Sequence, residues 1–265
     1  MLALDGVTRS FGATRALDRV DLRVEAGRSV GIVGESGSGK STLLRLLLGL
    51  DSPTSGTVRY RGATLVRRDR ALLHRLRTDV QMVFQDPRSS LDPRMRVGTI
   101  VAEPLRSLRV PGDRRAHAAR VAEVLAAVGL DPDVVDRYPA QFSGGQRQRI
   151  AIARALAPSP SVLVADEPVS ALDVSVRAQV VALLHTLSVR QGLTLVLVSH
   201  DIAVVGQLCE RTVVLHHGQV VEEGATADVL AAPTQAYTRR LLAAVPRLPD
   251  APRSADAPGS TVAPG

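Results

Sequence analysis

The chain has 265 residues, 45% of them hydrophobic, which suffices for one large domain or two small ones with a substantial core and no disulfide staples. Its one cysteine, Cys209, excludes an intramolecular disulfide and any iron–sulfur cluster held by several of its own thiolates. The net charge of +7 invites an anionic partner, but the arginines are scattered and mixed with acids, and 2% aromatic residues are too few for base-stacking platforms, so no nucleic-acid partner is expected. The first residues, MLALDGVTRSFG, lack the basic start and apolar run of a secretory leader. No apolar stretch reaches the length of a membrane span, since even LLRLLLGL is broken by Arg45, and a cytosolic location is expected.

In chain order, SVGIVG predicts a buried strand that runs into GESGSGKST, residues 34–42, followed by the helical run TLLRLLLGL. This strand–loop–helix matches G-x-x-x-x-G-K-[ST]. Backbone N–H groups along Gly34, Glu35, Ser36, Gly37, Ser38, Gly39, Lys40, Ser41 and Thr42, with the helix N-terminus, are the candidate cradle for nucleotide phosphates. Lys40 is the single lysine among 33 Lys and Arg residues. A compact ammonium fits inside a ring of amides and reaches the β- and γ-phosphates, where a forked guanidinium does not, and the Ser41 hydroxyl is placed to hold Mg²⁺.

VQMVF is the next predicted strand and ends at Gln85. Residues 89–160 then read as an inserted helical region: RAHAARVAEVLAAVGL has helical spacing closed by Gly129 and a turn. A second helix is predicted from Ser143, which stands at capping-box spacing from Gln146, with Gly144 and Gly145 leaving the first amides open. That is a second anion site, best used by a nucleotide bound to another molecule, since the first loop already holds one set of phosphates. SVLVA leads to Asp166 and Glu167, and TLVLVS leads to His200. Continuous apolar runs of this kind predict parallel strands buried on both faces, with ligands beyond their carboxyl ends. Asp166 is then the candidate Mg²⁺-shell carboxylate and Glu167 the general base that polarises an attacking water. DAPRSADAPGSTVAPG, from Asp250, is expected to be disordered.

Together these stretches resemble the ATP-binding subunit of an ABC transporter, over residues 2–249. GESGSGKST resembles the Walker A loop, FSGGQ the family signature, VLVADE the Walker B strand and SALD, ending at Asp173, the D-loop. Gln85 resembles the Q-loop glutamine and His200 the switch histidine. The resemblance implies an α/β fold: a RecA-like P-loop core with a mixed, mainly parallel sheet, an N-terminal antiparallel β subdomain and an inserted helical subdomain. It implies a core at 1–88 and 161–232, a helical subdomain at 89–160 and a C-terminal extension at 233–249. It also implies ATP and Mg²⁺ as cofactors, with Ser41, Gln85 and Asp166 around the metal and Glu167, His200 and Gln85 in catalysis. The resemblance further implies two ATP molecules in a head-to-tail dimer, each between the Walker residues of one subunit and Ser143, Gly144, Gly145, Gln146 and Asp173 of the other. Phe11 lies where the family stacks an aromatic on adenine.

QMVFQDPRSSLDPRMRVGTIVAEPL, RYPAQFSGGQRQRIAIARAL and APTQAYTRRLLAAVP resemble the dipeptide, oligopeptide and nickel importer ATPases. That implies a motor at the cytoplasmic face of the membrane, a second ATPase subunit in a heterodimer (a homodimer being the alternative), two transmembrane permease subunits and, indirectly, an extracytoplasmic solute-binding protein. Phe142 replaces the signature leucine, and Asp92 replaces the asparagine usual in this subfamily near the membrane-subunit contact. The rival is a soluble ABC ATPase acting on nucleic acid or the ribosome. Those relatives carry long coiled-coil insertions or two cassettes in one chain, neither of which is present.

Overall fold

The computed structural model of the chain describes residues 1–244, apart from the side chains of Pro87, Arg88 and Gln191; the tail expected to be disordered lies outside the described residues. β1 (Leu2–Phe11) pairs antiparallel with β2 (Thr14–Val24), and β3 (Val30–Val33) ends in the glycine loop from which α1 (Lys40–Leu47) leaves. β4 (Ser55–Tyr60) and β5 (Ala63–Thr64) complete a four-stranded antiparallel sheet in the order β2-β1-β4-β5. After α2 (Arg70–Asp79) and β6 (Val80–Val83) comes a helical region of α3 (Pro87–Ser90), α4 (Val97–Ser107), α5 (Arg114–Ala127) and α6 (Gly144–Leu156). The chain returns through β7 (Val162–Asp166), α7 (Val174–Gln191), β8 (Thr194–Ser199), α8 (Ile202–Leu208), β9 (Arg211–His216) and β10 (Gln219–Ala225). It closes on α9 (Thr226–Ala231) and α10 (Ala236–Ala243).

The second sheet has six strands in the order β10-β9-β3-β8-β7-β6. Strands β9 to β6 run parallel, and only β10 is antiparallel. The apolar runs are continuous because each face of this sheet meets a different core. Val162 and Val164 of β7, Val196 and Val198 of β8, and Val30 and Ile32 of β3 join the core beneath the first sheet, together with Leu43, Leu44, Leu46 and Leu47 of α1. Their neighbours Leu163, Ala165, Leu195, Leu197 and Val33 join a second core made with α6, α7 and α8. Burial on both sides therefore drives the parallel sheet and aligns the carboxyl ends of its strands.

The helical region is set by its caps. The Asp113 carboxylate accepts the Ala116 N–H at 2.8 Å to start α5, and at its end the Leu130 N–H returns to the Leu125 carbonyl at 2.9 Å past the left-handed Gly129. Ser143 and Gln146 cap α6 reciprocally, at 3.3 and 3.0 Å. Arg120 of α5 donates to the last-turn carbonyls Leu156 and Ala157 at 2.8 and 3.0 Å, which ties α5 to α6 and satisfies orphan acceptors at a dipole end that favours a cation. Phe142 is buried with the Arg137 guanidinium 4.6 Å from its ring centroid, so it fills a core position where leucine would also fit. Asp92 is satisfied within its own turn, accepting the Arg94 backbone N–H at 2.9 Å and both arms of its guanidinium.

Candidate functional site

The carboxyl ends of β3, β6, β7 and β8 open on one cleft of about 1150 Å³. Gly34, Glu35, Ser36, Gly37, Gly39, Lys40, Ser41, Thr42, Gln85, Asp166, Glu167 and His200 all line it. Ser38 lies buried beneath the loop, its hydroxyl without a partner. Gly39 takes φ 108° to turn the loop into α1, and a Cβ there would stand 2.6 Å from the Ala16 carbonyl oxygen; only glycine serves. The Leu43 N–H bonds the Gly39 carbonyl at 2.9 Å, which leaves the amides of Lys40, Ser41 and Thr42 without intrahelical acceptors. The Lys40 Nζ curls back to donate to the Gly34 and Glu35 carbonyls, both at 2.7 Å. Burial pulls its pKa below the usual ammonium range, against the opposing charges of Glu167, Asp166 and Glu35. Open amides and a compact cation suit a polyphosphate.

Asp166 ends β7. Burial raises its carboxyl pKa, Glu167 adds to the rise, and Lys40 opposes it. A carboxylate so placed, with the Ser41 hydroxyl and the Gln85 amide on the same cleft, is a hard-oxygen donor set that fits Mg²⁺. Glu167 follows in the left-handed region, with φ 46°, a conformation that costs a non-glycine residue on the order of 1–3 kcal/mol. Its peptide is held against that cost: its N–H donates to the Val198 carbonyl at 2.8 Å, and its carbonyl accepts the Ser170 hydroxyl at 3.1 Å. The strained backbone aims the carboxylate at two partners. Oε1 lies 3.0 Å from His200 Nδ1, and Oε2 accepts the Gln85 Nε2–H at 3.2 Å. The three expected catalytic side chains thus meet at one carboxylate.

Other expected residues stand apart from this cleft. Phe11 sits at the tip of the β1–β2 hairpin, 48% exposed, with the Arg9 guanidinium 4.4 Å from its ring centroid; Thr14, Arg15 and Ala16 of the same hairpin do line the cleft. Asp173 caps α7, accepting the Val176 N–H at 3.0 Å and the Ser175 hydroxyl at 2.8 Å, bonds that hold its carboxyl below the usual range. Ser143, Gly144, Gly145 and Gln146 lie at the start of α6. A Cβ on Gly145 would come 2.3 Å from Val176 Cγ1. Gly145→Ala is therefore expected to lower stability by about 1–3 kcal/mol through overpacking, and an unchanged Tm would sink that expectation.

Sequence reasoning missed Arg177, Asp201, Leu241 and Ala244, which also line the cleft. Asp201 accepts the Ala203 and Val204 amides at the start of α8 and pairs with Arg177 at 3.2 Å, which braces the turn that carries His200. The run S-H-D before an apolar helix was the available signal.

A glycine loop between a central parallel strand and a helix, with a paired carboxylate two strands away, defines a P-loop nucleotide-binding domain. The sequence profile of the family described as ABC transporter matches residues 17–170, and the chain belongs to that family. It is similar to the oligopeptide transport ATP-binding protein OppD of Mycobacterium tuberculosis, 49% identical over 239 residues that make up 90% of this chain and 39% of that protein. It is also similar to the oligopeptide transport ATP-binding protein OppF of Escherichia coli, 47% identical over 236 residues, 89% of this chain and 70% of that protein. The chain thus spans about two fifths of the mycobacterial relative. Among solved structures, the ATP-binding cassette MJ0796, a dimer in a post-hydrolysis state with ADP and Pi, superposes with a TM-score of 0.75 at 36% identity, covering 85% of this chain and 99% of that one.

Proposed function

We propose that the protein is the ATP-hydrolysing motor subunit of an ABC importer, with peptides as the cargo. The observation that carries this reading is the convergence of Gln85 and His200 on the Glu167 carboxylate, in the cleft that holds Lys40 and Asp166. Lys40 and the open amides of the loop hold the β- and γ-phosphates of the substrate ATP. Ser41, Gln85 and Asp166 would hold Mg²⁺, which would supply neutralising charge on the phosphate oxygens. Glu167 orients the attacking water and takes its proton on a carboxylate oxygen, and Gln85 and His200 fix that carboxylate in place. Phe11, outside the cleft on the hairpin whose Thr14, Arg15 and Ala16 line it, stacks on the part of the adenine that projects beyond them. Ser143 to Gln146 and Asp173, placed outside this cleft, complete the ATP site of a facing subunit in a head-to-tail dimer, here a heterodimer with a second ATPase.

The membrane side of the assembly falls beside β6. A groove of about 340 Å³ there is lined by Leu50, Met82, Phe84, Glu103, Pro104 and Arg154, and Phe84 and Leu50 are 46% and 50% exposed. Phe84 adjoins Gln85, so a helix of a permease subunit seated in the groove senses the cleft through one residue. Among the described residues no helix is long and apolar enough to cross a membrane, so attachment through this groove gives a peripheral subunit at the cytoplasmic face. Purification from native membranes in mild detergent should recover two multi-spanning subunits and a second ATPase. Phe84→Asp should release the protein from them while ATP binding persists. Recovery from the soluble fraction alone, with nucleic acid or ribosomes attached, would overturn the transport reading.

A further inference from the structure

The segment after β10 reaches back to the phosphate loop. Glu222 of β10 accepts the backbone N–H groups of Thr234 and Gln235 at 2.7 and 3.1 Å and the Thr234 hydroxyl at 2.9 Å, which anchors the start of α10. One turn on, the Tyr237 ring is buried and stacks on His216 at the end of β9, with centroids 3.8 Å apart and planes at 29°. Its phenol oxygen accepts the Glu35 N–H at 3.0 Å. Leu241 and Ala244 continue the same helix into the wall of the cleft.

The peptide between Gly34 and Glu35 is therefore held at both ends. Lys40 Nζ donates to its carbonyl, and its N–H donates to Tyr237. The two holds differ in one respect. In the nucleotide reading on which this inference rests, the ammonium must share its three N–H donors between the loop carbonyls and the phosphates. Tyr237 is the side-chain hold on this peptide that has no such competing partner. We propose that Tyr237 is a positioning residue for the phosphate loop, and that the C-terminal segment contributes through it to ATP affinity. Its phenol is set by a stacked ring and an anchored helix, so the acceptor is in place before nucleotide arrives.

Tyr237→Phe keeps the ring and removes only the acceptor, leaving a part-buried N–H without a partner. In the full chain assembled with its partner subunits, the KM for ATP, and the Kd for ATP measured directly, should rise about three- to tenfold, with kcat within about twofold and a modest fall in Tm from the unpaired N–H. Tyr237→Ala, which also removes the stack, should add a further loss of Tm to the same rise. A purely structural role predicts otherwise: wild-type KM and Kd in Tyr237→Phe, with only Tm lowered in both variants, would overturn the proposal. Failure of the wild-type protein itself to bind ATP is a separate result, and it would remove the nucleotide reading and this proposal together.

Discussion

Glu167→Gln should reduce ATP turnover by about a hundred- to ten-thousandfold while ATP still binds, because a general base contributes a factor of that order and the amide cannot take the proton from water. The substitution nearly preserves shape. Gln85 Nε2 can still donate to the side-chain oxygen, and the contact with His200 Nδ1 survives in one tautomer, so the cleft should keep its form. The left-handed backbone at φ 46° is held by the Glu167 N–H donating to the Val198 carbonyl and by the Ser170 hydroxyl donating to the Glu167 carbonyl, neither involving the Glu167 side chain, so the fold should not change either. The test is single-turnover hydrolysis set beside ATP binding. Loss of hydrolysis with retained binding assigns the proton to Glu167, whereas undiminished turnover removes Glu167 as the base.

The second large effect is expected at Lys40. Lys40→Arg keeps the charge, yet should weaken ATP binding by about ten- to a hundredfold, the range for losing a charged hydrogen bond. The ammonium is buried and lies 2.7 Å from each of two backbone carbonyls within its own loop. A guanidinium is larger, planar and fixed in its fork, and cannot turn from these carbonyls to a phosphate as a compact point charge does. Equilibrium titration with ATP decides the matter, and normal affinity in the arginine variant would refute the account of why this chain keeps one lysine.

β3, β7 and β8 were legible because each is buried on both faces, which writes a continuous apolar run into the sequence, whereas the edge strand β6 is interrupted by Gln81 and half buried. The first sheet was not read in that way. Val20, Leu22 and Val24 of β2 do alternate with exposed Asp21 and Arg23, but β1 has mixed faces and several register shifts, and only family resemblance foretold an antiparallel subdomain. Lys40 could be read from the glycine loop, and Asp166, Glu167 and His200 as strand-end residues. The bond from Glu35 to Tyr237 joins residues 202 apart, and no local pattern announces it. The left-handed turn at Glu167 left a weak trace, since Pro168 follows it and disfavours a right-handed helical residue in front.

The position of β3 has a consequence for biosynthesis. Its neighbours are β8 and β9, with Val30 paired to Val196 on one side and to Arg211 on the other. Neither neighbour exists until the ribosome has passed position 194, so Val30–Val33 emerges early as an apolar strand with both edges unsatisfied. Closing so long a loop is slow, and the phosphate cradle cannot take shape before it closes. The phosphate cradle therefore cannot close around nucleotide until the residues of β8 and β9, 194–216, have been synthesised, and until then the unpaired strand is open to misassociation.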